Sequence, residues 1–183
     1  GGGFGFGYSA TNYIGGQFKV LPGAAFPQTK NEIENFIPVA RISDLLLNPG
    51  KKFDFDGKTY EYPDTKIVYW AGGNPFHHHQ DLNRLISAWE KPDTIISNEW
   101  CWNTLAKRSD IVLPCTIPLE RGDIMMTPRD PYVVSMSKLI EPYGKAKNDF
   151  EIFAGIARKM GVEEKFTEGR NQEEWQKWIY TQT

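Results

Sequence analysis

The stretch YWAGGNPFHHHQDLNRL, residues 69–85, decides the fold that this sequence predicts. It begins in an unbroken β-branched and aromatic run, residues 67–70, which is typical of a parallel-sheet strand buried on both faces. Two glycines and Asn74 then interrupt the run, and Pro75 fits the first position of a helix that Asn74 would cap. The order of strand, glycine turn and helix predicts a βα unit.

The helix after the turn is predicted to carry an apolar stripe at helical spacing, which comprises Leu82, Leu85, Ile86 and Trp89. Its positive N-terminal end would then lie at the edge of the sheet and attract anions. Gly72 and Gly73 lack Cβ atoms, so that a ligand can approach the main chain closely. The pattern predicts a phosphate site. Because GGN is not the G-x-G-x-x-G fingerprint, a plain βα turn stays open as an alternative.

Two further strands follow in the same order. Residues 94–97 and 110–113 are short apolar runs, and a short helix is predicted between them over residues 102–108. These elements predict a right-handed βαβαβ core whose strand C-termini share one edge. Asn98 and Glu99 follow the second strand, where an acid can accept hydrogen bonds from ribose hydroxyls or a guanine edge.

Elements outside this core are also visible in the sequence. A short helix is predicted over residues 38–47, and the Asp-Gly pair at 56–57 between two alternating runs predicts a β-hairpin. Residues 149–160 predict a helix with Asn148 as its cap and Gly161 as its stop. The apolar face of that helix comprises Phe150, Phe153, Ala154, Ala157 and Met160.

A final helix is indicated by Trp175, Trp178 and Ile179. The predicted fold class is therefore α/β: a Rossmann-like parallel sheet with flanking helices and a small hairpin excursion. The glycine-rich start, residues 1–36, is predicted to be an extended connecting segment, and residues 37–183 are predicted to form one domain.

Composition excludes several classes of partner. The chain has 183 residues, 40% of them hydrophobic, and a net charge of −2, which gives no electrostatic footprint for nucleic acid or an anionic membrane. No stretch reaches the roughly 18 consecutive apolar residues of a membrane helix. Cys101 and Cys115 form no C-x-x-C pair and are expected to be buried thiols. Without a starting methionine, the chain is expected to be a piece of a longer polypeptide.

Three ordered stretches carry a family resemblance: WAGGNPFHHHQDLNRL at residues 70–85, NEWCWNTLAKRSDIVLPCTIPLERGD at 98–123 and AKNDFEIFAGIARKMG at 146–161. GGGFGFGY and IPVARI near the start add to it. Together they resemble the dimethyl sulfoxide reductase family of molybdopterin oxidoreductases, and within it the trimethylamine N-oxide and biotin sulfoxide reductases. The resemblance extends over essentially the whole chain.

This resemblance implies a molybdopterin-dependent S-oxide or N-oxide reductase that acts by oxygen-atom transfer. Its cofactor would be molybdenum bis(molybdopterin guanine dinucleotide), and this chain matches the Rossmann-like third domain that binds one of the two dinucleotides. The metal-ligating residue of the family lies in an earlier part of the polypeptide. No catalytic or metal-ligating residue is therefore assigned here, and the chain alone is expected to be inactive.

The resemblance also implies a set of cofactor-binding residues: Gly72, Gly73, Asn74, Phe76, His78, Asn98, Glu99, Cys101, Arg121 and Asp123. Glu99 stands where the family commonly has aspartate, and Gly122 stands where it commonly has asparagine. The guanidinium of Arg121 suits a phosphate, with a salt bridge to Glu120 or Asp123 as the structural alternative.

Neighbouring side chains limit the site further. The three consecutive histidines, residues 77–79, are not expected to form a metal site, because adjacent helical positions point about 100° apart. Trp100 and Trp102 are expected to pack in the core or at its rim.

Two other interpretations stay open from the sequence. One is a nicotinamide-dependent dehydrogenase domain, which the βα turn and Glu99 suggest, although the missing fingerprint counts against it. The other is a non-catalytic interaction module with the same fold. The expected partners are the remaining domains of the parent polypeptide, a small S-oxide or N-oxide substrate and a cytochrome electron donor. The compartment is open, and the resemblance favours the periplasm over the cytoplasm.

Overall fold

The structure is a computed structural model, and it describes residues 26–27, 33, 35–125 and 132–183. The chain divides into two compact units, each described by itself. The sheet unit comprises Thr29–Thr116 and Gly144–Ile152, and the helical unit comprises Gly1–Gln28, Ile117–Tyr143 and Phe153–Thr183. The connecting segment predicted over residues 1–36 lies almost wholly outside the described residues. That segment and the predicted boundary after it therefore stay predictions.

A three-stranded parallel sheet organises the sheet unit. Its strands are β3 (Ile67–Ala71), β4 (Thr94–Glu99) and β5 (Ile111–Pro114), in the order β3-β4-β5. The register pairs Ala71 with Asn98 and Glu99 with Pro114. With helices packed against this sheet, the predicted α/β class and the parallel order of the strands are confirmed.

The expectation that the first strand is buried on both faces is wrong. β3 is an edge strand with no buried residue, and Ile67 at its start is 62% exposed. β4 takes the central position, where Ile95, Ser97, Asn98 and Glu99 are buried. An unbroken apolar run indicates a strand, but it does not indicate which strands will lie on either side.

The single helix expected after the glycine turn is in fact two. α2 (Pro75–His78) has one turn, His79 is extended, and α3 (Leu82–Trp89) starts anew. Asp81 adopts a left-handed conformation with φ of 49°, and its carboxylate accepts from the Arg84 backbone N–H. The longer helix therefore begins at Leu82 and not at the glycine turn, so the predicted start of that helix at the turn is wrong.

An apolar core lies between the sheet and its helices. α1 (Ile42–Leu47), preceded by a 3-10 turn at Val39–Arg41, contacts α3. An ion pair between Asp44 and Arg84 joins the two helices. The buried members of the core are Leu46, Phe76, Leu85, Ala88, Trp89, Ile95 and Leu105. Leu85, Ile86 and Trp89 of the predicted α3 stripe pack in this core, whereas Leu82, at the first position of the helix, is 41% exposed and its predicted burial is wrong.

The predicted hairpin is confirmed as a separate two-stranded sheet. β1 (Lys52–Phe55) pairs with β2 (Lys58–Glu61) in antiparallel register. Asp56 and Gly57 in the turn both have positive φ, at 47° and 73°, as a tight hairpin turn requires. Between β4 and β5, the structure has a 3-10 turn at Ala106–Arg108 in place of the short helix predicted over residues 102–108.

The helical unit contains a second hairpin and the C-terminal helices. β6 (Asp123–Met125) pairs with β7 (Val134–Met136), after a 3-10 turn at Pro118–Glu120. α5 (Glu163–Thr167) and α6 (Gln172–Gln182) follow. The final helix is confirmed, whereas the second hairpin and α5 were not predicted. None of the helices in the described part of the chain is long and apolar enough to cross a membrane.

α4 (Asp149–Lys159) begins in the sheet unit and ends in the helical unit. Asn148 and Glu151 form a reciprocal cap, because each side chain accepts from the other residue's backbone N–H. The predicted helix and its cap are confirmed, and Gly161 follows with φ of 73°. Its predicted apolar face needs one correction: Met160 is exposed because it lies beyond the helix end, whereas Ile152, omitted from that face, is buried.

Candidate functional site

Three parallel strands of the sheet unit end at one edge. β3 ends at Ala71 beside Asn98, and β4 ends at Glu99 beside Pro114 of β5. Lys147 donates its backbone N–H to the Pro114 carbonyl at 3.1 Å, so that the start of α4 lies at this edge as well. We call this region the strand edge; it comprises residues 72–74, 98–101 and 148–149.

The glycine turn after β3 requires its glycines for backbone reasons. Gly72 and Gly73 have φ of 79° and 70°, a left-handed region that other residues rarely adopt. The Trp70 indole N–H donates to the Gly72 carbonyl at 2.8 Å and fixes the turn. A Cβ added at either glycine would have no atom of the described residues within 4 Å, so these residues leave the space beside the turn open. In the described part of the chain, no acceptor bonds the backbone N–H groups of Gly73 and Asn74.

Asn74 caps α2 with its side-chain oxygen, and its side-chain NH2 group has no hydrogen-bond partner among the described residues. Its Oδ1 accepts from the Phe76 backbone N–H at 3.0 Å, as predicted for a cap. The residue is only 6% exposed, and its Nδ2 has no hydrogen-bond partner. A buried amide that lacks an acceptor is costly, which is consistent with a missing ligand atom. Asn74 therefore fits a site for an oxygen-rich ligand.

Phe76 and His78 take different positions on α2. Phe76 is a core residue, buried against the Trp89 ring with the centroids 5.5 Å apart. His78 and its neighbour His77 are exposed on the single turn of this helix, and His79 follows in an extended conformation. Of the two residues predicted to face a ligand, only His78 presents its side chain to solvent.

The amide of Asn98 is engaged at both ends. The Tyr69 hydroxyl donates to its Oδ1 at 2.8 Å, and its Nδ2 donates to Asp149 Oδ1 at 2.7 Å. Burial raises the pKa of Tyr69, the hydrogen bond to Asn98 opposes this, and the charge of Asp149 adds to it. Tyr69 therefore stays protonated and remains a donor. Asn98, predicted as a ligand contact, lies at the centre of an internal network.

Glu99 is a mostly buried residue whose carboxylate has no hydrogen-bond donor in the described part of the chain. It is 7% exposed. It is the last residue of the central strand, and alternation places it on the same face as Ser97, whose buried hydroxyl also lacks a partner. The carboxylate oxygens of Glu99 are not among the fully buried atoms without a partner, so they reach the open space at the strand edge, where a ligand could donate to them.

The loop after Glu99 is more open than the sequence suggested. Trp100, Cys101 and Trp102 are all exposed. The expectations that Cys101 is a buried thiol and that both indoles pack in the core or at its rim are therefore wrong for these residues. They follow the end of β4, where the chain leaves the sheet and none of the described elements covers them. Cys115, on the next strand's end, is partly buried.

Asp149 joins the strand edge without having been predicted there as a site residue. It is the first residue of α4 and is exposed, with Oδ1 bonded to Asn98 and no partner recorded for its other oxygen among the described residues. Fifty-one positions separate Asn98 from Asp149, so no local pattern links them. Only the pairing of the segment before α4 with β5 brings them together.

Arg121 and Asp123 lie in the helical unit and form a pair of their own. Arg121 Nε is 3.4 Å from Asp123 Oδ2, so one of the two salt-bridge alternatives is observed. Glu120 instead accepts from the backbone N–H groups of Ile117 and Tyr143, at 2.9 and 2.8 Å. The other eight predicted site residues belong to the sheet unit: six lie at the strand edge or on α2 with exposed or unpaired groups, Asn98 is buried and hydrogen-bonded at the strand edge, and Phe76 lies in the core.

A family model described as molybdopterin oxidoreductase matches residues 5–159 of this chain. A biotin sulfoxide reductase of Cereibacter sphaeroides is 45% identical over 100% of the chain, which covers 25% of that protein. A trimethylamine-N-oxide reductase of Haemophilus influenzae is 44% identical over 98% of the chain, which covers 23% of that protein. The chain thus spans about a quarter of the length of these relatives. Neither is named as a nicotinamide-dependent dehydrogenase.

Among solved structures, an acetylene hydratase from Pelobacter acetylenicus has a similar fold. Its TM-score is 0.54 with 20% sequence identity, and the match covers 75% of this chain and 20% of that protein. At this identity the likeness concerns the fold alone. It supports the α/β class that the strand order already shows.

Proposed function

This chain belongs to the molybdopterin oxidoreductase family, and from that premise we propose that its strand edge binds the guanine dinucleotide part of the cofactor. The family implies a molybdenum–molybdopterin cofactor, and the dinucleotide form is the finer statement proposed here. The observation that carries it is the mostly buried Glu99, whose carboxylate has no donor among the described residues. It lies beside a turn whose own donors lack acceptors in the same part of the chain.

The groups at the strand edge fit such a ligand in chemical type. The N–H groups of Gly73 and Asn74 and the Asn74 amide are donors, as a diphosphate requires. Glu99 and the free oxygen of Asp149 are acceptors, as a purine edge and ribose hydroxyls require. The open space beside Gly72 and Gly73 allows close approach of a phosphate to the main chain.

Glu99 also provides selectivity for the base. Guanine presents two adjacent donors, its N1–H and its amino group, which a carboxylate can accept side by side. Adenine and cytosine each present a ring-nitrogen acceptor at the corresponding position, which a carboxylate repels. Because Glu99 is 7% exposed, a bound base would displace the solvent that its carboxylate reaches, and a base without donors there would leave the carboxylate unpaired.

The residues of this chain act by binding and orientation. When bound, the cofactor supplies the oxidation–reduction chemistry. The strand edge would fix the dinucleotide end and thereby hold the reactive end of the cofactor in place. We assign no catalytic residue to this chain and expect it to be inactive by itself.

The parent protein is proposed to reduce S-oxides or N-oxides. This rests on the names of the relatives, which include biotin sulfoxide, trimethylamine-N-oxide and dimethyl sulfoxide reductases. The remaining three quarters of such a protein would supply the metal ligand and the substrate pocket. A cytochrome electron donor and a periplasmic location stay predictions.

The test compares the parent protein with its Glu99→Gln variant, and with Glu90→Gln as the control. Glu90 is an exposed glutamate at the end of α3, in the same unit. Molybdenum is measured by mass spectrometry, and guanine nucleotide is measured by chromatography after acid hydrolysis. We expect Glu99→Gln to lower bound guanine by about tenfold or more, since hydrogen bonds to charged groups are worth about 1.5–3 kcal/mol.

The control variant should keep wild-type amounts of both metal and nucleotide. An active parent protein that contains molybdenum but no guanine nucleotide would contradict the proposal. A parent protein with neither molybdenum nor nucleotide, and without reductase activity, would support the non-catalytic interaction module instead.

A further inference from the structure

Asn98 has hydrogen bonds that leave it little capacity for a ligand. It is 4% exposed, its Oδ1 accepts from the Tyr69 hydroxyl and its Nδ2 donates to Asp149. The orientation of the amide follows from the chemistry of its neighbours. A carboxylate only accepts, so Nδ2 must face Asp149, and Oδ1 must therefore face the hydroxyl of Tyr69. The three side chains form one chain of donors that ends on the Asp149 carboxylate.

We propose that Tyr69 and Asn98 are positioning residues, which hold the Asp149 carboxylate in one orientation at the strand edge so that its free oxygen can accept from the nucleotide. This inference rests on the proposed function. It assigns Asn98 an indirect role through Asp149, and it adds Tyr69, whose position on β3 gave no sign of a role at the site.

The register of the sheet explains why tyrosine is needed. Tyr69 pairs with Ile96, two positions before Asn98, so that Tyr69 and Asn98 lie on the same face of neighbouring strands. Only a long side chain spans that offset, and phenylalanine would fill the same space without the hydroxyl. Burial raises the pKa of Tyr69 above its ordinary value, so that the hydroxyl remains a donor at neutral pH.

Asp149 is the member of the network that needs to be held. It is exposed at the first position of α4, where an unrestrained carboxylate would sample several rotamers. The hydrogen bond from the buried Asn98 amide selects one rotamer of Asp149. The amide itself is fixed, because its rotation would break the hydrogen bond from the Tyr69 hydroxyl. Fixing an acceptor before the ligand arrives lowers the ordering cost of binding.

An exchange of side chains separates positioning from simple support of the fold. Asn98→Asp alone places two carboxylates against each other, and we expect both the melting temperature and the bound guanine nucleotide of the parent protein to fall. The double variant Asn98→Asp with Asp149→Asn restores a hydrogen bond between the two residues, now with the donor on α4. It restores the contact but removes the carboxylate from position 149.

We expect the double variant to recover its melting temperature but to retain at least about threefold less guanine nucleotide per folded chain than the wild type. Recovery of both quantities would overturn the proposal, because it would show that the network supports only the fold. If the exchanged variants do not fold, the milder Tyr69→Phe decides.

Tyr69→Phe removes one oxygen atom, and Tyr60→Phe in β2 is its matched control, a tyrosine of the same unit outside the network. We expect Tyr69→Phe to accelerate the loss of guanine nucleotide by about threefold to tenfold. The rates are compared at temperatures that lie the same number of degrees below the melting temperature of each protein. An unchanged rate would overturn the proposal. Failure of the proposed function would differ, since the wild-type protein would then contain no guanine nucleotide at all.

Discussion

Two glutamates with nearly equal burial have opposite surroundings in this molecule. Glu120 in the helical unit is 8% exposed, and its two oxygens accept from the backbone N–H groups of Ile117 and Tyr143. Glu99 in the sheet unit is 7% exposed, and no described group donates to it. Two backbone donors account for the position of Glu120, whereas no described group accounts for the position of the Glu99 carboxylate.

The same contrast separates the other polar groups of the two units. In the loop after Glu120, the Gly122 carbonyl accepts from both Gln172 and Gln176, and Arg121 pairs with Asp123. At the strand edge, the Asn74 amide lacks an acceptor. Satisfied groups indicate structural roles, and unsatisfied buried groups indicate a ligand. The first two predictions below each compare one group of each kind.

The largest expected effect is on Glu120. Glu120→Ala leaves two backbone N–H groups without acceptors and should destabilise the parent protein by about 3 kcal/mol. Glu99→Ala removes an unpaired carboxylate and should leave the stability of the cofactor-free protein unchanged or raised. Thermal unfolding of both variants measures this. Equal destabilisation by the two substitutions would mean that Glu99 has a structural partner.

Asn74 can be tested against a second cap. Asn74→Asp keeps the oxygen that caps α2 but replaces the unpaired donor with an acceptor, so that guanine nucleotide retention should fall by about tenfold. Asn171→Asp, at the cap of α6, makes the same chemical change where Oδ1 bonds the Glu174 backbone. That control should retain the nucleotide fully. Nucleotide analysis of both proteins checks this, and equal retention would exclude Asn74 from the site.

Gly73 and Gly161 form a matched pair in backbone conformation. Their φ values are 70° and 73°, and neither has an atom within 4 Å of an added Cβ. Substitution by alanine should cost about 1–2 kcal/mol at either position, because both are left-handed. Only Gly73→Ala should also lower nucleotide retention, because its Cβ enters the space beside the turn. If both variants lost guanine nucleotide, backbone strain would explain the effect, and the space beside the turn would have no role in it.

The smallest effect concerns an exposed carboxylate that is already paired. The hydrogen bond from Arg158 lowers the pKa of Glu163 below its ordinary value of 4.5. The pair therefore stabilises the folded protein fully above pH 4.5, and this stabilisation is lost as the pH falls through the lowered pKa of the folded state. Glu163→Gln should therefore melt slightly below the wild type at neutral pH, and the difference should vanish in acid. A difference that persists in acid would mean that the ion pair is not its cause.

The sequence predicted the elements of the sheet unit well where local chemistry determines them. The cap at Asn74, the hairpin turn at residues 56–57 and the stop at Gly161 all depend on neighbours within a few positions. The break at residues 79–81 was missed because a continuous helical period runs through it, and Asp81 takes a left-handed conformation that the pattern does not show.

Features that depend on distant pairing could not be predicted from the sequence. β3 is exposed and β4 is buried because of the strand order, although both runs are apolar. Asp149 reaches Asn98 only because the segment before α4 pairs with the end of β5. The candidate site was located from the glycine turn and the acid after β4, whereas its internal network required the structure.

The most direct test of the central claim is an experimental structure of the parent protein with its cofactor bound, in which the distances from the Glu99 carboxylate oxygens to the nearest ligand nitrogens are measured. We predict that both oxygens lie within about 3.2 Å of guanine nitrogens, one ring N–H and one amino group. A guanine located elsewhere, with Glu99 bonded instead to donors of another protein segment, would contradict this account.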